Sequence, residues 1–160
     1  MVPAMISVVA ELERLVAEFS SKINSVPDAE FSAKPLPGKW SQKEVLGHLI
    51  DSAHNNLRRF VCGQYERVPP KIIYEQDFWV TANGYQDAKK DEVILLWKLV
   101  NLRICHILKS MPQANLEREC DTGRDKVQLH SLQWLAEDYV KHMKHHLNQI
   151  FPKFFDDVNP

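Results

Sequence analysis

The chain has 160 residues, 44% hydrophobic and 26% charged, a balance typical of a globular protein that excludes disordered and fibrous classes. Its 20 basic and 21 acidic residues leave a net charge of -1, too even to supply the sustained field that attracts nucleic acid. The length suits one domain with a substantial core, residues 1–160, and is short for two.

No apolar run approaches the span of a bilayer: VILLW, at residues 93–97, is far too short. The opening MVPAMISVVAELER lacks a basic segment followed by an apolar core, so a cytoplasmic location with no membrane partner is expected. Three cysteines, Cys62, Cys105 and Cys120, are odd in number and widely spaced. They fit reduced, mostly buried thiols better than a disulfide framework.

In chain order, Val9, Leu12, Leu15, Val16, Phe19 and Ile23 repeat at three and four residues and predict a first helix from about Pro3 to Val26. Pro27 stops it, and DAEFSAKPLPGKW reads as an ordered loop in which Phe31 and Trp40 pack. Ser41 followed by Glu44 is a capping box that opens a second helix, Gln42 to about Cys62. Its inward stripe is Val45, His48, Leu49, Ser52 and Asn55 or Asn56, so one histidine lies on the core face.

After Gly63 comes a connection of about two dozen residues, long enough to be functional or to cross the bundle. Its tyrosines, Phe78 and Trp79 predict an ordered segment across one end of the helices, with Trp79 a candidate pocket wall. A third helix, from near Asp91 to about Met111, has the strongest apolar stripe; Trp97 and Ile104 lie within it. Residues 113–130 fit a short hairpin with Gly123 in its turn. Ser131 then caps a fourth helix, Leu132 to about Phe151. Four such helices bury their stripes most simply as an all-α four-helix bundle. The long connection between helices 2 and 3 allows those two to run parallel, in up, down, down, up order.

The fourth helix carries YVKHMKHHLNQ. His142 and His146, four apart, share one helix face and can reach a single ion. A bundle brings ligands on different helices together, so His48 is the candidate third ligand. Three imidazoles suit zinc or nickel and leave a coordination position open, as catalytic sites do. Asp138, one turn before His142, and Asp51, three residues after His48, are candidates to orient the rings from behind; His145 is a further cavity candidate. Glu75 and Cys120 are conceivable closing ligands at unpersuasive spacings. Met143 follows His142 where a zinc protease of the HExxH type has its glutamate, so that chemistry is disfavoured.

The run PGKWSQKEVLGHLIDSAHNN together with HMKHHLNQI resembles the DinB/YfiT-like family of metalloenzymes, over nearly the whole chain. The resemblance implies a four-helix bundle in which His48, His142 and His146 bind a divalent metal, commonly nickel or zinc, and a protein that is often a homodimer. It also implies a small-molecule substrate and an activity as a metal-dependent hydrolase or a low-molecular-weight thiol S-transferase. Both activities use a cation to stabilise a deprotonated nucleophile. The alternative is a non-catalytic helical module, binding or stress-associated, in which the metal is structural or absent.

Overall fold

Each of the four expected apolar stripes forms a helix in the computed structural model, which describes residues 3–156. The bundle consists of α1 (Pro3–Asn24), α3 (Gln42–Tyr65), α5 (Lys90–Ser110) and α6 (Leu132–Ile150); two shorter helices, α2 (Asp28–Ser32) and α4 (Gln76–Asn83), lie in the connections. Strands β1 (Glu119–Asp121) and β2 (Leu129–Ser131) pair antiparallel, Cys120 opposite His130, in the expected hairpin. The core runs through all four long helices and buries Leu12, Phe19, Leu49, Phe60, Trp97, Ile104, Tyr139 and Met143 completely.

The helix starts are chemically explicit. Ser41 Oγ accepts from the Glu44 amide at 3.2 Å and Glu44 Oε2 accepts from the Ser41 amide at 2.8 Å, so two amides left over at the start of α3 are satisfied reciprocally. At α6 the Ser131 hydroxyl accepts from the Trp134 amide at 3.1 Å.

Contacts at the helix ends fix the directions. Lys90, opening α5, donates to Asn24 O at the end of α1 and to Val26 O just past it, while Lys109 near the far end of α5 pairs with Glu13, so α1 and α5 are antiparallel. Lys43, in the first turn of α3, donates to Gln86 O and Ala88 O immediately before α5. Past the other ends, Asn115 Nδ2 donates to Gln64 Oε1, so α3 and α5 run parallel. Helix α6 opposes α3, because Gly63 near the end of α3 abuts Leu132 at the start of α6. The order is up, down, down, up.

Three local expectations are refined. Residues 28–32 turn into a short helix rather than loop, which seats Phe31 fully in the core. Gly63 does not end the second helix; it lets Cys120 Sγ and Leu132 approach so closely that a Cβ there would stand 3.0 and 2.7 Å from them. The connection from α3 to α5 is not bare loop, since α4 and a 3-10 turn at Tyr85–Asp87 form within it.

That crossover is pinned to α3 at one point. The Tyr85 ring packs against Gly47, where an added Cβ would sit 2.1 Å from a ring carbon. Beyond the ring, the Tyr85 hydroxyl donates to the buried Asp51 carboxylate at 2.7 Å. A methyl group at residue 47 must therefore expel the ring and break that bond. Gly47→Ala is expected to lower stability by about 1–3 kcal/mol in urea denaturation. In a Tyr85→Ala background the same substitution should cost far less, because the obstructing ring is gone.

Candidate metal centre

The antiparallel packing of α3 and α6 sets the N-terminal half of one against the C-terminal half of the other, and three imidazoles meet there. His48 is fully buried on the inward face of α3; His142 and His146 are half-buried, one turn apart on α6. His142 Nε2 lies 3.4 Å from His48 Nε2 and 3.1 Å from His146 Nε2. One ring nitrogen from each of the three falls within 4.8 Å of the others. Ligands on one ion at bond lengths of about 2.0–2.1 Å in tetrahedral array stand roughly 3.4 Å apart, so the donor set fits a divalent transition ion. The spacing also carries a constraint. Two bare nitrogen lone pairs cannot face one another at such distances, so a proton or a cation must lie between them.

Burial holds the rings neutral. It pushes His48 and His142 down to about 3, helped by the neighbouring imidazoles, and lowers His146 as well. Neutral imidazole is the metal-binding form.

Behind the rings the partners are mostly not the residues that spacing suggested. Ser52 Oγ stands 3.5 Å from His142 Nδ1, and Gln149 Oε1 stands 3.1 Å from His146 Nδ1. His48 Nδ1 is buried and has no hydrogen-bond partner among the described residues; the Trp40 ring covers His48 at 5.0 Å between centroids. Asp51 turns instead to Tyr85 and to Asn83 Nδ2, 3.0 Å away, and Asp138 lies among Arg59, Lys141 and His130. His145 sets its ring edge-on to His146 at 5.0 Å. Glu75 pairs with Arg124 and Cys120 points to Arg59 O, so neither joins the three histidines. Ser52 and Gln149 had a signal in the sequence: they follow His48 by four and His146 by three, which places each beside a ligand-bearing turn.

An open cleft of about 780 Å³ ends on the outer side of the centre. His146, Gln149, Trp40, Gln42, Gln76 and Asp77 are in its wall. The aromatic contributed to the wall is thus Trp40, while Trp79 packs edge-on to Tyr74 at 5.8 Å.

A profile of the DinB superfamily matches residues 11–150. The chain belongs to the DinB superfamily. Among relatives of this DinB protein, a candidate metal-dependent hydrolase of Geobacillus thermodenitrificans is 24% identical over 143 residues, 89% of this chain and 79% of that one. The crystal structure of YfiT from Bacillus subtilis, described as an unusual four-helix bundle, superposes with a TM-score of 0.82 at 21% identity, covering 92% and 83% of the two chains. A mycothiol-dependent maleylpyruvate isomerase superposes with a TM-score of 0.69 at 13% identity, over 91% of this chain and 60% of that one. Among the described residues of the DinB protein, no helix is long and apolar enough to cross a membrane.

Asp51 gives the site's surroundings a measurable pH signature. Burial pushes its carboxyl up from 3.8 to about 6, against the opposing bonds from Tyr85 and Asn83. A carboxyl with a raised folded-state pKa is best accommodated when protonated. Its contribution to stability is full below about pH 4 and is lost as pH rises through about 6, a loss of roughly 3 kcal/mol. Asp51→Asn keeps an acceptor for Tyr85 without the charge. The metal-free variant is expected to match the wild type near pH 4 and to exceed it at pH 8, in denaturation curves compared at each pH.

Proposed function

We propose that this DinB protein is an enzyme in which His48, His142 and His146 hold one divalent ion, zinc or nickel, against an open cleft. The observation that carries the reading is the convergence of three neutral imidazole nitrogens at ligand spacing beside a cleft large enough for a small molecule. When bound, such an ion stabilises the deprotonated form of water or of a thiol and so supplies a nucleophile at neutral pH. The chain's own residues do the rest. Gln149 and Ser52 orient the α6 rings, Trp40 shields His48 from water, and the amides of Gln42, Gln76 and Gln149 offer the substrate hydrogen bonds along the cleft. Hydrolysis is favoured by the relatives designated metal-dependent hydrolases, and thiol transfer to a small electrophile by the likeness to a mycothiol-dependent isomerase. A reducing, cytoplasmic setting suits either and is supported by three unpaired cysteines.

The test is metal content of tag-free protein by mass spectrometry, for wild type and His48→Ala, with helicity followed by circular dichroism. About one zinc or nickel per chain is expected in the wild type and none in the still helical variant. An absence of metal after incubation with both ions would overturn the reading. With metal established, ester hydrolysis and conjugation of small thiols to electrophiles separate the two activities.

A homodimer belongs to the same reading, and the outer face of α5 is its surface. Leu95, Leu96, Leu99 and Leu102 form a continuous apolar patch there, 40–54% exposed. Asp91 and Glu92 lie at one end of the patch and Arg103 at the other. Two copies crossing antiparallel about a two-fold axis would set each acidic end beside the partner's basic end. Sedimentation velocity is expected to give a dimer for the wild type and a folded monomer for Leu99→Glu; a monomeric wild type would remove the dimer.

A further inference from the structure

Helix α4 carries Gln76 and Asp77 into the wall of the cleft, and its last residue ties it to the bundle. Asn83 Nδ2 donates to Asp51 Oδ1 on α3 at 3.0 Å and to Trp79 O, one turn back, at 3.1 Å. A main-chain carbonyl can only accept, and Asp51 Oδ1 also accepts from the Tyr85 hydroxyl, so the Asn83 amide has one way round, with its nitrogen turned toward both partners. That nitrogen is the donor in both bonds.

The next residue is Gly84, and Asn83 is the one asparagine in the sequence that precedes a glycine. In such a pair the glycine amide nitrogen can attack the asparagine side-chain carbonyl carbon, because no Cβ stands in its way and the main chain is free to bring the two atoms together. Both residues are exposed, and a Cβ built on Gly84, at φ +62°, meets nothing within 4 Å, so water reaches the linkage. Two features restrain the reaction in the closed state. Gly84 N donates to Thr81 O at 3.2 Å, and the side-chain amide is held by its own pair of bonds. Attack therefore proceeds from states in which the last turn of α4 has opened.

We infer that Asn83 is a site of spontaneous hydrolytic modification, and that the reaction releases α4 from α3 because the atom that departs is the atom that makes the bonds. The step balances. Gly84 N forms a bond to Asn83 Cγ, the Cγ–Nδ2 bond breaks, and Nδ2 leaves as ammonia with the proton that Gly84 N gives up. Water then opens the cyclic imide: cleavage at Cγ gives an aspartate, and cleavage at the main-chain carbonyl carbon gives an isoaspartate, whose main chain is longer by a methylene. Nothing is oxidised or reduced. The aspartate sets a carboxylate oxygen where the donor stood, against Asp51 Oδ1 and Trp79 O, so two hydrogen bonds become contacts between acceptors. The isoaspartate loses the same donor and displaces the end of the helix as well. In both products the cleft wall supplied by Gln76 and Asp77 loses its tie to Asp51. Occupancy of the metal centre does not enter.

Wild-type protein is incubated in mildly alkaline buffer, amide loss is mapped by peptide mass spectrometry, and isoaspartate is measured by labelling with an isoaspartyl methyltransferase. Asn83 is expected to lose its amide ahead of every other asparagine and to give both products, while Asn83→Gln stays intact at this position over the same period. Asp51→Ala, which removes one of the two holding bonds, is expected to speed the loss several-fold, with helicity checked by circular dichroism. The release is read in Asn83→Asp, where hydrogen exchange of the α4 amides should quicken several-fold and that of α5 and α6 should not change. An Asn83 that keeps its amide while other asparagines are hydrolysed would overturn the site, as would an unchanged rate in a folded Asp51→Ala. Wild-type exchange across α4 in Asn83→Asp would overturn the release. The wild-type mapping and the Asn83→Asp exchange decide the matter whether or not Asp51→Ala folds.

Discussion

Three imidazoles buried side by side cannot be left to themselves, and the rest of the site follows from that. Each neutral ring has one proton for two nitrogens, and the inner nitrogens of His48, His142 and His146 stand 3.1 and 3.4 Å apart. Such a cluster is stable only when protons and lone pairs alternate around it or a cation collects the lone pairs. The groups behind the rings decide which protons are available. Gln149 commits His146 to one tautomer, and Ser52 leaves His142 able to take either.

The crossover between α3 and α5 exists because those helices run parallel, so the chain must travel back along the bundle before it can start α5. The return path is secured by specific chemistry and not by length alone. Tyr85 lies on Gly47 and bonds Asp51; Asn83 bonds the same carboxylate; Arg59 donates twice to Ile72 O. A fixed crossover carries Gln76 with Asp77 to the mouth of the cleft. Connection and centre are in this way parts of one hydrogen-bonded structure, with Asp51 on one side of α3 and Ser52 on the next position.

Much of this was legible in residue order. The capping box at Ser41 and Glu44, the cap at Ser131 and the stripes of α1, α3, α5 and α6 are local, periodic features, and each appears where the pattern predicts. The grouping of His48 with His142 and His146 followed from helical spacing and from the resemblance to the DinB/YfiT-like family. Carboxylates suggested by spacing alone were less informative: Asp51 shares the helix with His48 yet bonds to the crossover, and Asp138 stands by Arg59 and Lys141. Spacing along a helix says which residues share a face, but a side chain on that face chooses its partner from whatever is packed opposite.

The sequence by itself determined the helices, their caps and the three histidines on inward faces, because propensity, period and capping act over a few residues. Only the tertiary structure decided that Gly47 is a seat for Tyr85, that Gly63 continues a helix instead of ending one, and that Trp40 rather than Trp79 walls the cleft. It alone brought Arg59, Asn56 and Ser52 together behind His142. Those features arise from groups brought together by packing, and hydrogen-bond direction is a property of the assembled network that no single segment contains.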